Sequence, residues 1–154
     1  MTVDERYSLD SAVRASEEDR LAQWVADFLT STGSDNPELA ASLTFADKWW
    51  TGPDRLELDK LTRLAGPDGE ADNVLVPIDD REWESDVDEM NESLEAGWSP
   101  PPLVVSCRVG GLFLEDGNHR HETLLRAGET HAWAVVSFDT EDDRDSFLAA
   151  RRAP

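Results

Sequence analysis

The chain has 154 residues, and its 39% hydrophobic fraction suffices for one domain with a buried core. Asp and Glu number 34 against 14 Lys and Arg, which gives a formal net charge of -20 at pH 7. Such a surface repels polyanions, so these numbers exclude a protein that holds DNA across its whole surface. The single cysteine, Cys107, excludes an intramolecular disulfide.

The N-terminal residues lack the basic and apolar regions of a signal peptide, and no apolar run reaches the length of a membrane span. A chain without disulfides fits a reducing compartment. We therefore expect a cytoplasmic protein that does not associate with membranes. Cys107 lies in an apolar run and is interpreted as a buried, unreactive thiol. The sequence does not indicate the oligomeric state.

The first residues, 1–15, are polar and are predicted to be flexible. Ser16 is predicted to cap the first helix, because three acidic residues follow it in what would be the first turn. Apolar residues then recur at helical spacing, which predicts one buried face. That face consists of Leu21, Trp24, Val25, Phe28 and Leu29.

Two further helices are predicted before the middle of the chain. Asn36-Pro37 is a typical helix start, and apolar spacing continues from it to Trp50. Leucines predict another helix within residues 56–65. Residues 16–66 are therefore interpreted as a helical extension that packs on the rest of the chain.

After a glycine-rich linker the pattern changes to a mixture of strands and helices. Residues 74–78 predict a short strand, and Ser85 is predicted to cap the next helix. Residues 103–109 and 112–114 predict a hairpin that turns at Gly110-Gly111.

The last elements predict the fold class. A helix is expected to begin just after Asp116 and to end at Gly128, followed by a strand at 133–138 and a helix at 142–152. Strand, helix, hairpin, helix and strand after a helical half predict an α+β fold with a small mixed sheet. The sheet domain is placed at residues 74–152, in one compact unit with the helical extension.

The most informative stretch lies at the start of the helix after Asp116. It reads Asp116-Gly117-Asn118-His119-Arg120. The start of a helix offers backbone N–H groups and partial positive charge, which attract phosphates and carboxylates. Gly117 allows a ligand to approach the backbone closely. The sequence therefore predicts an anion site here.

Each side chain of this stretch has a functional and a structural interpretation. Arg120 either clamps a phosphate or forms an internal salt bridge to Asp116 or Glu122. His119 either donates to an anion and exchanges protons, or is a structural histidine. His121 is expected to cover the core, and Glu122 to pair with Arg126.

Carboxylates supply the remaining candidates. Asp116 either holds Mg²⁺ beside a phosphate or caps the helix. Asp79 and Asp80 follow the first predicted strand of the sheet domain, and each is either a general base or metal ligand, or a solvated turn residue. One cysteine and three scattered histidines do not provide a zinc site. Trp83 is interpreted as a core residue.

The order of these motifs resembles the ParB/sulfiredoxin superfamily over about residues 74–138. The stretches that carry the resemblance are strand 74–78 with Asp79, residues 102–105, residues 116–120 and residues 126–128. The resemblance implies a nucleotide phosphate site with contacts from the backbone of Gly117, Asn118, His119 and Arg120, and from the last two side chains.

Members of that superfamily differ in activity. Partition proteins bind and hydrolyse CTP and carry a downstream helix-turn-helix, whereas this chain is acidic and ends soon after Phe138. Sulfiredoxins have a catalytic cysteine where this chain has Asn118. Free-serine kinases have Asp-Gly-His-His-Arg and an acidic base after the first strand, for which Asp79 or Asp80 is the counterpart. That activity type is the nearest match.

The resemblance thus implies a protein that binds ATP, ADP or CTP with Mg²⁺, with phosphoryl transfer and nucleotide hydrolysis both open as reactions. His119, Asp79 and Asp80 are the catalytic candidates. A second hypothesis is a non-enzymatic adaptor whose acidic surface and N-terminal helices bind a protein partner. A third is a nuclease, although the charge of -20 disfavours DNA as a partner.

Overall fold

The structure is a computed structural model of the whole chain. The residues that it describes are 7–30, 48–63, 65–66, 76–77, 80–97, 100–108 and 111–152. Within these ranges the protein is α+β, as the sequence predicts, with helices on a mixed five-stranded sheet. No helix in the described part of the chain is long and apolar enough to cross a membrane.

Strands from both halves of the chain build the main sheet. In chain order they are β1 (Trp49–Glu57), β2 (Leu61–Arg63), β5 (Leu103–Arg108), β6 (Gly111–Asp116) and β7 (His131–Phe138). Two short parallel strands, β3 (Ala65–Gly66) and β4 (Val76–Pro77), pair separately.

The spatial order of the main sheet is β1-β7-β5-β6-β2. β7 pairs antiparallel with β1 and parallel with β5. β5 and β6 form the predicted antiparallel hairpin, and β2 adds parallel to β6. The central strands are rich in valine and leucine, because both of their faces are covered.

Five helices accompany the sheet in the described ranges. They are α1 (Leu9–Glu17), α2 (Leu21–Leu29), α3 (Asp80–Glu95), α4 (Asn118–Arg126) and α5 (Glu141–Arg152). α1 and α2 bury an aromatic and aliphatic face against Val104 and Val135, on one side of the sheet. On the other side Val105 and Val136 share a core with Phe147 of α5.

The prediction that residues 1–15 are flexible is wrong for residues 9–15, which belong to α1. Ser8 is the N-cap of α1: its side chain accepts from the Ser11 backbone N–H, and the Ser11 hydroxyl oxygen accepts from the Ser8 backbone N–H. Ser16, predicted to cap the helix that carries Leu21 and Trp24, lies inside α1, and that helix, α2, has Arg20 as its N-cap with no side-chain cap hydrogen bond. Ala12 and Ala15 form the buried face of the helix. Alanines at this spacing give a weak apolar signal, so the polar composition of the stretch concealed the helix.

The predicted helix at 56–65 is also wrong. Leu56 lies near the end of β1, and Leu58 begins a short 3-10 turn that follows the strand. Both side chains are buried in the sheet core. Their spacing of two residues is that of a strand, although leucines further along also fit a helical period. Pairing with β7 selects the strand, since β1 pairs with β7 from Trp49 to Glu57.

The predicted helix from residue 36 to Trp50 lies partly outside the described residues, but its end is corrected. Trp49 and Trp50 begin β1. Gly52 has φ +115, and a Cβ there would lie 2.7 Å from the Ala134 carbonyl oxygen. Glycine is therefore required where the register of β1 shifts between Thr51 and Asp54.

The start of α3 differs from the predicted cap at Ser85, because the helix begins at Asp80. Trp83 and Val87, four residues apart, are both fully buried and anchor the helix through one face. The predicted strand 74–78 is described only at Val76–Pro77. The strands and helices predicted after residue 103 agree with β5, β6, α4, β7 and α5.

The location of β1 and β2 predicts that residues 74–154 do not fold alone. Deleting residues 1–73 removes β1, which is one of the two partners of β7, β2, which is one of the two partners of β6, and the helical cover of Val135. We expect the truncated chain to lose cooperative thermal unfolding in circular dichroism, whereas the full chain keeps one sharp transition. A sharp transition in the truncated chain would show that β1 and β2 are not needed for the rest of the sheet to fold.

Candidate functional site

The turn from β6 into α4 has the backbone geometry that the sequence suggests. Gly117 is the N-cap of α4 with φ +106, and the His121 N–H donates to its carbonyl at 2.8 Å. No side-chain cap hydrogen bond closes this end of the helix in the described residues. Gly117 itself therefore offers no side-chain oxygen to the first-turn backbone N–H groups of α4.

The close approach at Gly117 is made by the protein itself. A Cβ at this position would lie 2.6 Å from Leu103 Cδ2 and 3.0 Å from Arg120 Nη2. A larger residue would also be strained by the left-handed φ. Glycine is therefore needed to let the Arg120 guanidinium and the Leu103 side chain pack against the turn.

Arg120 is buried, with 6% of the residue exposed. Its Nη2 donates to Asp116 Oδ2 at 2.8 Å, and its Nη1 donates to the carbonyl oxygens of Pro101 at 2.8 Å and Pro102 at 3.1 Å. The guanidinium also lies 5.4 Å from the ring centroid of Phe28. Burial lowers the pKa of Arg120, and Asp116 opposes that shift.

These contacts show that the salt bridge to Asp116, one of the two structural alternatives for Arg120, is present. The guanidinium joins the end of β6, the approach to β5 and the α2 face. A phosphate would have to compete with these internal acceptors for the guanidinium. The side chain is thus placed to hold the turn.

Asp116 is engaged in the same pair, and its side chain is only 13% exposed. Among the described ranges no group of three His, Cys, Asp or Glu side chains is placed to hold a metal ion. The residues near the turn therefore do not offer Mg²⁺ a ready ligand set. Asp79 lies outside the described residues, and of Asp80 only the backbone at the start of α3 is described.

His119 lies between α3 and α4, with 25% of its side chain exposed. Its imidazole packs against the Trp83 ring at an interplanar angle of 33°, with ring centroids 4.6 Å apart. Asp86 Oδ2 lies 3.3 Å from Nε2, an ion-pair distance, but the two are not aligned as a hydrogen bond, since the buried Nε2 has no such partner within the described residues.

The charge of His119 is set by competing effects. Burial lowers its pKa from the usual 6.5, while the carboxylates of Asp86, Glu82 and Asp116 raise it and Arg120 lowers it. Burial is the largest cause, so the ring is neutral at pH 7.

Asp86 is a site residue that the sequence interpretation missed, and Trp83 was assigned only to the core. The expected start of the helix at Ser85 left Trp83 outside it. Had the helix been placed from residue 80, Trp83 and Asp86 would lie three residues apart on one face, toward α4. The core assignment of Trp83 itself is confirmed, since the residue is fully buried.

The other two histidines have structural partners. His121 is buried and its Nε2 donates to the Leu58 carbonyl oxygen at 2.7 Å, so Nε2 carries the proton. This confirms that His121 covers the core. His131 Nδ1 lies 2.8 Å from the Thr130 hydroxyl at the exposed start of β7.

A salt-bridge network fixes α3 against α4. Arg126 donates to Glu122 at 2.9 Å, as the sequence predicts, and also makes two bonds to Glu84 at 2.7 and 2.8 Å. Hydrogen bonding to Arg126 lowers the pKa of Glu84. Because these bonds join α4 to α3, they help set the spacing of the two helices that enclose the imidazole.

Cys107 does not contribute to the site. It is half-buried in β5, and burial raises its pKa, with Asp143 and Asp139 adding to the shift. The thiol form is therefore favoured at neutral pH, which agrees with an unreactive cysteine.

Comparisons with known proteins give only a distant structural similarity. No protein-family model matches the chain, and no curated protein matches it. A solved structure of a Pnob8-like ParB-N domain matches with 18% sequence identity and a TM-score of 0.39, over 70% of this chain and 40% of that chain. This similarity is too distant to assign a family or activity, and the α+β class rests on the described sheet and helices.

The buried pair predicts a large loss of stability on truncation of Arg120. We expect Arg120→Ala to lower the free energy of unfolding by about 3–5 kcal/mol, because it leaves Asp116 and two carbonyl groups unpaired. Urea unfolding of Arg120→Ala, Asp116→Asn and the double variant measures the coupling. Additive losses would show that the two side chains do not form the pair described here.

The lowered pKa of His119 predicts a pH-dependent stability. Because the unfolded ring titrates near 6.5, the stability linked to His119 is complete above that pH and is lost as the pH falls through the lower folded value. Urea unfolding at several pH values should show a smaller acid loss in His119→Gln than in the natural chain. Equal losses in the two chains would contradict a depressed pKa.

Proposed function

We propose that the chain binds the phosphate groups of a nucleotide at the start of α4. The observation that carries the proposal is the Gly117 N-cap, whose left-handed φ of +106 turns the chain from β6 into α4 and which has no side chain over the start of the helix. The start of a helix attracts a dianionic phosphate through both its N–H groups and the helix dipole.

Arg120 supports this proposal indirectly. Its ion pair neutralises Asp116, the carboxylate nearest in sequence to the expected phosphate position. Its bonds to Pro101 and Pro102 hold the turn against the sheet, so the N–H groups are fixed before a ligand arrives. In this proposal the phosphate contacts come from the backbone of residues 117–120 and from the His119 side chain.

The nucleotide classes proposed are ATP, ADP and CTP. Phosphoryl transfer or nucleotide hydrolysis would require proton transfer, and His119 is the described side chain suited to exchange a proton. Asp79 and Asp80 are retained as further candidates for that role. Asp116 is committed to Arg120, so no step is assigned to Mg²⁺ held by the described residues.

Asn118→Asp tests the phosphate proposal with a nearly isosteric change at the first residue of α4. A carboxylate in the first turn suits the helix dipole, so the melting temperature should stay equal or rise. The same charge repels a phosphate, so we expect nucleotide affinity to fall by about tenfold or more. Isothermal titration calorimetry with ATP, ADP and CTP, each with and without Mg²⁺, measures the affinity.

Asn91→Asp is the matched control, because it adds the same charge within α3, away from the start of a helix. It should change nucleotide affinity by less than about twofold. Absence of binding heat with every nucleotide, or equal affinity in Asn118→Asp and the natural chain, would contradict the proposal.

A second candidate function is a protein adaptor, and the surface of α3 favours it. Most of the acidic side chains of this helix are exposed, among them Asp88, Glu92 and Glu95. In a chain of net charge -20 they offer a surface for a basic partner. The phosphate turn would then be purely structural.

The adaptor candidate is tested by cross-linking in cells before lysis. A partner should be recovered with the natural chain and lost with Asp88→Lys plus Glu92→Lys, while His119→Ala should retain it. Recovery of the same proteins by the natural and charge-reversed chains at low salt would contradict an acidic docking surface.

A further inference from the structure

Trp83 and Asp86 lie on one face of α3 and enclose His119 of α4. Trp83 contributes a tilted ring in contact with the imidazole, and Asp86 contributes a carboxylate oxygen 3.3 Å from Nε2. Both contacts come from another helix, so the position of the imidazole relative to the start of α4 depends on α3. We propose that Asp86 is a positioning residue that couples phosphate binding at α4 to uptake of one proton by His119.

The coupling follows from the tautomer that Asp86 favours. The negative charge of the Asp86 carboxylate, 3.3 Å from Nε2, favours the proton of neutral His119 on that nitrogen. Nδ1 is then the nitrogen that takes a second proton from solvent, which turns it from an acceptor into a donor. The imidazolium places positive charge beside an arriving phosphate, and Asp86 stabilises that charge across the ring.

Three of the four charged groups around the ring favour its protonated form. From α3, Asp86 and Glu82 favour the protonated ring, and Asp116 at the end of β6 does the same. Arg120, on α4 itself, disfavours it, but its charge is balanced by the pair with Asp116. Burial is what keeps the free ring neutral, so an added anion shifts the balance toward the imidazolium.

This inference rests on the proposed phosphate site and makes a separate prediction. Because binding takes up a proton, nucleotide affinity should rise as the pH falls, by up to about tenfold per pH unit between the free and bound pKa values of His119. A phosphate that titrates itself weakens binding in acid, so the ring's contribution is read against His119→Gln, which cannot take up the proton.

Calorimetry with ATP and CTP in buffers of different ionisation enthalpy counts the protons taken up at pH 7. The natural chain should take up a measurable fraction of one proton, and Asp86→Asn should take up much less and bind about three- to tenfold more weakly. Asp86→Glu, which keeps the charge, should restore proton uptake. Asp88→Asn is the matched control, since its side chain is exposed on the same helix and lies two residues away, on the opposite face.

The possible results separate the two proposals. No binding of any nucleotide to the natural chain overturns both the phosphate site and the role of Asp86. Binding without proton uptake, or with equal uptake in the natural chain, Asp86→Asn and His119→Gln, overturns the role of Asp86 alone. Thermal melting of each variant establishes that it is folded, and Asp86→Glu supplies the second comparison if Asp86→Asn is not.

Discussion

The ion pair between Arg120 and Asp116 is the contact on which the geometry of the candidate site depends. It is buried, and the same guanidinium reaches the Pro101 and Pro102 carbonyl oxygens and the Phe28 ring. One side chain therefore ties the end of β6 to the approach to β5 and to α2. Buried charges are tolerated only when they are paired and hydrogen-bonded, and this arrangement meets that condition.

Two consequences follow for function. The arginine of the Asp116–Arg120 stretch serves the turn, so in the proposed function the anion contacts fall to backbone N–H groups and to His119. Backbone N–H groups suit this proposed task because they bind phosphate without adding positive side chains to an acidic protein. The helix α3, anchored to α4 by Glu84 and Arg126, supplies Asp86 and Glu82, whose carboxylates raise the pKa of His119 against the larger effect of burial.

Sequence reasoning predicted the turn, α4 and the β5-β6 hairpin, because glycine positions and apolar runs are local signals. It failed at Leu56 and Leu58, where a helical period and a strand period overlap and pairing with β7 decides. It also failed at α1, whose buried face consists of alanines. Asp86 escaped notice because its role depends on how α3 packs against α4, which no local pattern encodes.

Amide chemical shifts during a nucleotide titration test the central claim most directly. In ¹H–¹⁵N spectra we expect ATP or CTP to shift the backbone amide signals of Asn118, His119 and Arg120 most strongly. Smaller changes are expected at Trp83 and Asp86. Saturation of these shifts would place the phosphate at the start of α4. Unchanged amides at 118–120, or the largest changes on α1 and α2, would contradict it.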